Sequence, residues 1–592
     1  MCGIFGYIGT KNKDLSGFIV ENLMKLEYRG YDSSGISVLN NGEFETIKAV
    51  GGISSLKNKI GKRKLAGSLG VGHTRWATHG KVTLANTHPH TDCEGKVVVV
   101  HNGIIENYQK LKDRLVAKGH KFTSETDTEV LTHLVEEKIS DGQVFLDAVR
   151  ASFNELEGLN AVVILSEYSE LAGFKNGSPL VAGKANQSLL ISSDTPALTT
   201  VTSNIAILND GQGIYASSKG SFFVNAESGK KRNLKFERLN MSDVVEDKGK
   251  YKHYLLKEIM EQPQVVRIVA AGSRKDIDKA AKLIKNARGT YFTACGTASH
   301  AGMAATYMFS DIAKRHVNFA VGSEFPYFED FLEKESLLIA ASQSGETMDT
   351  LLSVKAAKRH SSKVLAMVNV PGSSLTRMAD YTLYLKAGPE RAVLSTKAYI
   401  AKLSVFLLLA YNMAGKYKQG LKILEDTSNK LSLLLSKEFL RKIKRVSEAL
   451  VDKENIYILG RGVNYPTALE GALKIKEASY IHAEGIAAGE LKHGVIALIE
   501  EGTPCIAIVA NDDAGSSILS NAMEVKSRGA KVIGISFEDN DIFDTFIKVP
   551  DIPEASAIIN VVPMQLLAYY LTLMKGYNPD KPRNLAKSVT VK

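Results

Sequence analysis

The side chains best suited to covalent chemistry lie far apart in the 592-residue sequence, starting with a cysteine at position 2 in the run CGIFGYIG. With Met1 removed, which the small side chain behind it permits, Cys2 would carry a thiol and a free α-amine on one residue. An α-amine of ordinary pKa, about 7.7–8.0, can serve as base for its own thiol, so no histidine partner is required. HTRWATHG adds Arg75, Trp76, Thr78 and His79 in one short segment. A guanidinium there suits a carboxylate. VVVVHNGIIEN ends an apolar run at His101-Asn102-Gly103, where an amide and a glycine N–H can build an oxyanion hole. Asp127, in SETDTE, suits an ammonium group. These groups together describe hydrolysis of the side-chain amide of a free amino acid. The plainer alternatives are a small apolar cysteine in a first strand and a core aromatic at Trp76, the only tryptophan. Five histidines fall between His73 and His101 but lack HExxH spacing, so no metal is expected there.

A second group begins at AASQSGETMDT, where Ser342, Ser344 and Thr347 surround Gly345 between an apolar run and a helical pattern. Backbone N–H groups at a helix start bind phosphate, and hydroxyls complete the cage. A capped turn is the alternative. In PTALEGALKIKEASYIHAEG, Glu470, Lys474 and Glu477 share one helix face, either as a solvated salt bridge or as a working set. His493 and Lys587 would supply the remaining tools for moving protons around a sugar carbonyl.

Short strand-like runs and turns dominate the first 240 or so residues, including the hairpin GISVLNNGEFETI with Asn-Gly at its turn, which reads as an α+β domain. The charged stretch MSDVVEDKGKYKHYLLKEIMEQP, helical at its end, reads as a linker. Beyond it, TYFTACGTASHAG, SLLIAASQSGETMDTLLSVKAAK and SKVLAMVNVPGSSLTRMAD are matched in order by NIYILGRGVNYPTALEGALKIKE, PCIAIVANDDAGSSILSNAMEVKSRG and AKVIGISFEDN. Two copies of one α/β unit follow, each a parallel sheet covered on both faces. The turn ANDDAGSS of the second copy carries two acids and would repel phosphate.

The net charge of +10 is spread along the chain without a Lys/Arg block interleaved with aromatics, which argues against nucleic acid. The four cysteines form no CxxC pair, so neither a disulfide framework nor a cysteine zinc site is expected, and a reducing cytoplasm fits. The first charged residue is Lys11, so no signal-peptide n-region is read. SVFLLLAYNMAG and LLAYYLTLM are read as buried helices too short to span a membrane.

From CGIFGYIG through EYRGYDSSG, HTRWATHG, HPH, HNGIIEN and SETDTEV, residues 2–222 resemble the class II, N-terminal-nucleophile glutamine amidotransferases. That resemblance implies stacked antiparallel sheets between helices, with Cys2 attacking the glutamine amide. Asn102 and Gly103 would stabilise the oxyanion, Arg75 and Asp127 would hold the α-carboxylate and α-amine, and Thr78, His79 and His88 would line the pocket. Trp76 would gate an ammonia passage. Residues 281–420 and 447–582 resemble paired sugar isomerase (SIS) domains, doubly wound parallel sheets, with 223–265 as trailing strands and linker and 583–592 as a tail closing the sugar site. The implied sugar-phosphate ligands are Thr297, Ser342, Gln343, Ser344 and Thr347, with Val393, Ser395 and Ala586 against the sugar. Glu477 would move a proton from C1 toward C2, Glu470 and Lys474 would support it, and Lys587 would contact the open-chain ketose. His493 would assist ring opening in the site of a neighbouring protomer. Ala298, in CGTA where the family has CGTS, and Leu394, in AVLSTKA, depart from the pattern and bear on sugar-phosphate preference.

Taken together, the two resemblances imply a cytoplasmic homodimer needing no metal or organic cofactor. It would move the amide nitrogen of L-glutamine onto D-fructose 6-phosphate with isomerisation, the entry to amino-sugar synthesis. An enzyme for another sugar phosphate and a sugar-phosphate sensor with idle sites are the alternatives.

Overall fold

Strand Gly3–Asp14 is apolar on both faces, and its period-2 alternation divides two cores. Phe5 and Tyr7 point to one, Ile4 and Ile8 to the other. Such a strand is stable only in the middle of a sheet. It pairs antiparallel with Ala66–Arg75 on one side and Ser188–Ser192 on the other, in register Gly3↔Thr74 and Phe5↔Ser192. The computed structural model describes residues 2–238 and 248–590. Met1, whose removal is expected, 239–247 of the expected linker and 591–592 of the tail lie outside the described residues. The chain divides into two compact units, the described residues of Met1–Val245 with Ser588–Lys592, and those of Glu246–Lys587.

In the first unit an eight-stranded and a seven-stranded antiparallel sheet lie face to face. Ile4, Leu69, Val71 and Ile191 of one meet Val98, Val100, Val163 and Leu165 of the other. Helices Leu15–Met24 and Ile53–Ile60 cover one outer face. Helices Tyr108–Ala117, Glu129–Ser140 and Phe145–Asn154 cover the other. This is the layered arrangement expected from the resemblance. The hairpin Ser33–Asn40/Glu43–Val50 turns at Asn41 and Gly42, both at positive φ, as its Asn-Gly pair demands.

The second unit holds two five-stranded parallel sheets. In the first, Thr290–Ala294 lies between Asn318–Val321 and Leu337–Ser342, followed outward by Lys363–Val368 and Tyr381–Tyr384. In the second, Asn455–Gly460 lies between His482–Ala487 and Pro504–Val509, followed by Lys531–Ser536 and Thr545–Lys548. The strand order is the same, 2-1-3-4-5, so the repeat read from three matched elements extends to five. The two additional strands of each copy are short or sit at sheet edges, where the apolar signal is weak. Tyr254–Met260 and the start of Gln262–Ala270 fall in the stretch read as linker, yet both helices pack within this unit, and Glu258 is only 2% exposed.

Helices Lys397–Met413 and Ser556–Met574 run through the common core of both sheets. The second corrects the sequence reading of its length. Pro553–Met574 spans 22 residues, enough to cross a membrane, but 83% of its most apolar window is buried inside the protein. Its apolar faces are therefore spent on the core, as they are for Lys397–Met413.

Close approach fixes one glycine of this core. A Cβ on Gly302, in helix Thr297–Ala313, would stand 1.7 Å from Cε1 of Phe292 on the strand beneath. Gly302→Ala is expected to destabilise the second unit by about 1–3 kcal/mol through overpacking. Calorimetry of its unfolding transition checks this, and an unchanged midpoint would contradict the packing described.

Candidate functional site

The first site is built where three antiparallel strands bring their ends together. Gly3 N–H donates to Thr74 Oγ1 (3.0 Å) and Ile4 N–H to Ser193 Oγ (3.0 Å), which pins the strand directly behind Cys2. A Cβ on Gly3 would meet Thr74 Oγ1 at 2.6 Å and Leu26 Cβ at 2.7 Å, so only glycine lets the chain approach this closely. The Cys2 carbonyl accepts from Arg29 Nε (3.2 Å) and Asn102 Nδ2 (2.8 Å). Its sulfur accepts from Trp76 N–H (3.3 Å). Burial pushes the thiol pKa up, while the Trp76 N–H and the guanidinium groups of Arg75 and Arg29 oppose that shift. Arg29 is itself held by Asp194 (2.8 Å).

Around Cys2 lies a pocket lined by Arg75, Trp76, Thr78, His79, His88, His101, Gly103, Asp127 and Thr128 among others. Arg75 is buried, and burial lowers its pKa. Its guanidinium donates to the carbonyls of His79, Gly80 and Lys81. Among the described residues no carboxylate forms a salt bridge with it. Asp127 accepts from Ile105 N–H (2.8 Å) and opens on the same pocket. A guanidinium and a carboxylate in one small cavity fit the two charged ends of an amino acid.

The histidines form a neutral, ordered chain. Burial lowers the pKa of His88 and His101 and takes His73 down to about 3. His101 Nε2 faces Asn160 Oδ1 (2.9 Å), an acceptor, so it carries the proton. Its Nδ1 then accepts from Thr128 Oγ1 (2.9 Å), which leaves that oxygen to accept from His88 Nε2 (2.9 Å). His73 Nε2 donates to His101 O (3.0 Å) and Asn102 Oδ1 (3.1 Å). All three are therefore Nε2–H tautomers, and the Nδ1 atoms of His73 and His88 have no hydrogen-bond partner. Asn102, turned by His73, aims its amide at the nucleophile's own main chain.

The second site lies at the carboxyl ends of Thr290–Ala294 and Leu337–Ser342, neighbouring strands whose connections leave in opposite directions. This is the switch point at which doubly wound sheets take ligands. After Leu337–Ser342, Ser342 Oγ meets Thr347 Oγ1 (2.8 Å) and Ser344 Oγ (3.5 Å), and accepts from Gly345 N–H (3.0 Å). Gln343 is held by its carbonyl, which accepts from Asn369 N–H (3.1 Å). The loop leads into helix Met348–Arg359, whose N-terminal N–H groups favour an anion. Cys295 Sγ lies 3.7 Å from Thr350 Oγ1 and ties this loop to the one carrying Thr297.

Helix Asn464–Ser479, from the second copy, brings its polar face to Thr297. Lys474 is 1% exposed and reaches Thr297 Oγ1 (2.9 Å), Glu477 (2.6 Å) and Glu470 (3.5 Å). Glu470 also contacts His300 Nδ1 (2.8 Å). The sequence alternative of a solvated salt bridge is overturned, since Lys474 and Glu470 are in the core.

A third set converges on Glu390, which the sequence reading did not single out. Its carboxylate accepts from Lys587 (2.6 Å), Ser395 Oγ (3.0 Å), Thr396 N–H (2.9 Å) and Ala398 N–H (3.1 Å). Lys587 and these donors hold its pKa down near 2 against burial. Val393 N–H donates to Asp580 O (3.1 Å), and Ala586 adjoins Lys587. Buried Lys402, brought down to about 8 by desolvation, donates to Ala398 O (3.3 Å) and feels the charges of Glu390 and Glu470. Ala298 and Leu394 both pack into the apolar core. His493 is exposed and forms no hydrogen bond with the Glu470–Lys474–Glu477 row among the described residues.

Arg29, Asp194, Thr128, Asn160, Glu258, His300, Glu390 and Lys402 were not read from the sequence as site residues. Arg29 stands inside the quoted motif EYRGYDSSG, and Glu390 lies three residues before Val393. Proximity to those motifs was the available signal.

Comparison with known proteins covers the whole chain. The profile of the SIS domain family matches 283–411 and 449–575, and that of the glutamine amidotransferase domain matches 73–200. The chain is 43% identical to the glutamine–fructose-6-phosphate aminotransferase (isomerizing) of Thermococcus kodakarensis, and 43% to that of Pyrococcus horikoshii, over 100% of both chains in each case. Among solved structures it is similar to the C-terminal domain of glucosamine-fructose-6-phosphate aminotransferase from Francisella tularensis, with 36% identity and a TM-score of 0.53. That match covers 57% of this chain and 100% of the other.

Glu258 yields a pH prediction. Burial and the nearby Glu390 push its carboxyl up to about 8, while its Oε1 accepts from Arg391 and Ala392 N–H. A carboxyl raised on folding contributes stability that is fully present below its unfolded pKa and is lost as pH rises through the folded one. The protein should therefore lose thermal stability between about pH 4.5 and pH 8 relative to Glu258→Gln. Parallel melting curves across that window would refute the assignment.

Proposed function

From the premise that this chain belongs to the glutamine–fructose-6-phosphate aminotransferase (isomerizing) family, we infer how its two units divide one reaction. It is a glutamine-dependent aminotransferase that moves the amide nitrogen of L-glutamine to D-fructose 6-phosphate and isomerises the product to D-glucosamine 6-phosphate, releasing L-glutamate. The full-length identity carries this reading, and the pocket at Cys2 and the hydroxyl loop at Ser342 support it.

In the proposed mechanism Cys2 attacks the glutamine amide with its own α-amine as base, ammonia leaves, and water hydrolyses the thioester. Arg75 holds the α-carboxylate, Asp127 the α-ammonium, and Asn102 with Gly103 N–H the oxyanion, after the Asn102 amide turns from the Cys2 carbonyl it now contacts. Thr78, His79 and His88 shape the pocket, and Trp76 gates the ammonia. In the second unit Ser342, Gln343, Ser344, Thr347 and Thr297 grip the phosphate. Ammonia condenses with the C2 carbonyl and water leaves. Glu477 then carries a proton from C1 to C2, converting ketose imine to aldose amine. Lys474 holds Glu477 in place at 2.6 Å, and Glu390 holds Lys587 at the same distance, ready for the open-chain sugar. Val393, Ser395 and Ala586 line the sugar.

A homodimer in the cytoplasm is part of the same proposal. His493, exposed within its own chain, serves the isomerase site of a second copy.

Cys2→Ala should abolish glutamine-dependent product while ammonia-dependent synthesis survives. Product analysis checks this, and residual glutamine-dependent synthesis would refute the nucleophile. Glu477→Gln should lower kcat by roughly 10²–10⁴-fold with glutaminase activity retained. Ser342→Ala should raise the KM for the sugar phosphate by about one to two orders of magnitude, the worth of a hydrogen bond to a charged group. Mixing inactive Glu477→Gln and His493→Ala chains should restore activity if the site is shared. Failure of mixed subunits to recover would place His493 in its own chain.

A further inference from the structure

Outside both pockets, three segments of the amidotransferase unit bring four metal-ligating side chains together. Cys93 comes from the turn between strands His90–Thr91 and Val97–Gly103. His120 follows helix Tyr108–Ala117, and His133 and Glu136 lie one turn apart on helix Glu129–Ser140. One ligand atom from each lies within 4.8 Å of every other. Cys93 Sγ stands 3.6 Å from His133 Nδ1 and 3.9 Å from His120 Nδ1. Glu136 Oε2 stands 2.8 and 2.9 Å from the same two nitrogens.

We propose that Cys93, His120, His133 and Glu136 form a four-ligand structural zinc site. Tetrahedral zinc, with sulfur at about 2.3 Å and nitrogen or oxygen at about 2.0–2.2 Å, sets sulfur and nitrogen roughly 3.6 Å apart. The two sulfur–nitrogen distances match that spacing. The carboxylate–nitrogen distances are shorter than the roughly 3.3 Å of the same geometry, so Glu136 withdraws slightly as the ion enters. One thiolate, one carboxylate and two neutral imidazoles balance a divalent cation, and the mixed sulfur, nitrogen and oxygen donors select zinc over magnesium or calcium.

A built outer layer supports the assignment. His133 is 1% exposed, and its Nε2, facing away from the cluster, has no hydrogen-bond partner. It points at Glu129 Oε1, 3.8 Å away. Glu129 is fixed by Thr123 N–H (2.7 Å), Ser124 N–H (2.7 Å) and their two hydroxyls. A carboxylate behind a ligating imidazole is the usual device for orienting that ring and choosing its tautomer. Four protein ligands leave no open position, so the ion is structural. It would tie the hairpin turn to the two helices beside the 123–128 loop that presents Asp127. The sequence reading excluded a cysteine zinc site because no CxxC exists, and that reasoning is blind to ligands spaced 27, 13 and 3 residues apart.

The test uses full-length Cys2→Ala, which removes the half-buried thiol of the amidotransferase pocket as a competing chelator, stripped with a chelator and titrated with Co²⁺. One equivalent should bind with a thiolate-to-cobalt charge-transfer band and intense tetrahedral d–d absorption, displaced by Zn²⁺. Both Cys93→Ser and His120→Ala in that background should lose the signal while keeping their far-UV circular dichroism. Should either variant fail to fold, alkylation of Cys93 in the unvaried sequence decides, since Zn²⁺ should slow it at least tenfold. A weak octahedral spectrum, a spectrum unchanged by Cys93→Ser, or alkylation indifferent to Zn²⁺ would reduce the cluster to a histidine–glutamate ion pair and overturn the proposal.

Discussion

A charged ammonium buried at 1% exposure, that of Lys474, dictates most of the second unit. Taking such a charge out of water costs several kcal/mol unless partners surround it. Glu470, Glu477 and Thr297 are those partners, and together they commit two elements: two positions on one helix and the first turn of another. Glu470 in turn commits His300. The two repeats, each a complete doubly wound sheet, therefore share an ionic core that neither could satisfy alone. Apolar packing holds them at the right distance, and the ions fix the register.

The first unit meets a different demand, at its backbone. Its nucleophile sits at one end of a central strand, and fraying there would be the default. Two hydroxyls, Thr74 and Ser193, take the N–H groups of Gly3 and Ile4, and Arg29 and Asn102 take the Cys2 carbonyl. The chain end is thus held as firmly as a strand interior. Order at this end comes from side chains on four other segments.

Much of this was legible in the sequence, for identifiable reasons. The hairpin at Asn41-Gly42 and the strand at Val97–Gly103 announce themselves through turn chemistry and unbroken β-branched residues. The parallel repeat shows in the alternation of apolar runs and helices. Side-chain meetings at long range were not legible. Glu390 reaches Lys587 across 197 positions, and His300 reaches Glu470 across 170. Nothing in local spacing foretells such pairs. The length of helix Ser556–Met574 was underestimated because its polar residues, Asn560 and Gln565, interrupt the apolar run, yet both are buried and hydrogen-bonded.

The ordered imidazoles around Cys2 have one more consequence. In the chain Asn160–His101–Thr128–His88 each hydrogen has one compatible place, so an extra proton on one ring must reverse a neighbour's bond or sit unshared in the interior. The cluster behaves as an insulator toward acid. Exposed histidines would charge across the mildly acidic range and repel the α-ammonium of an incoming amino acid. These rings add no charge to the pocket there, so they leave the electrostatics of recognition by Arg75 and Asp127 undisturbed.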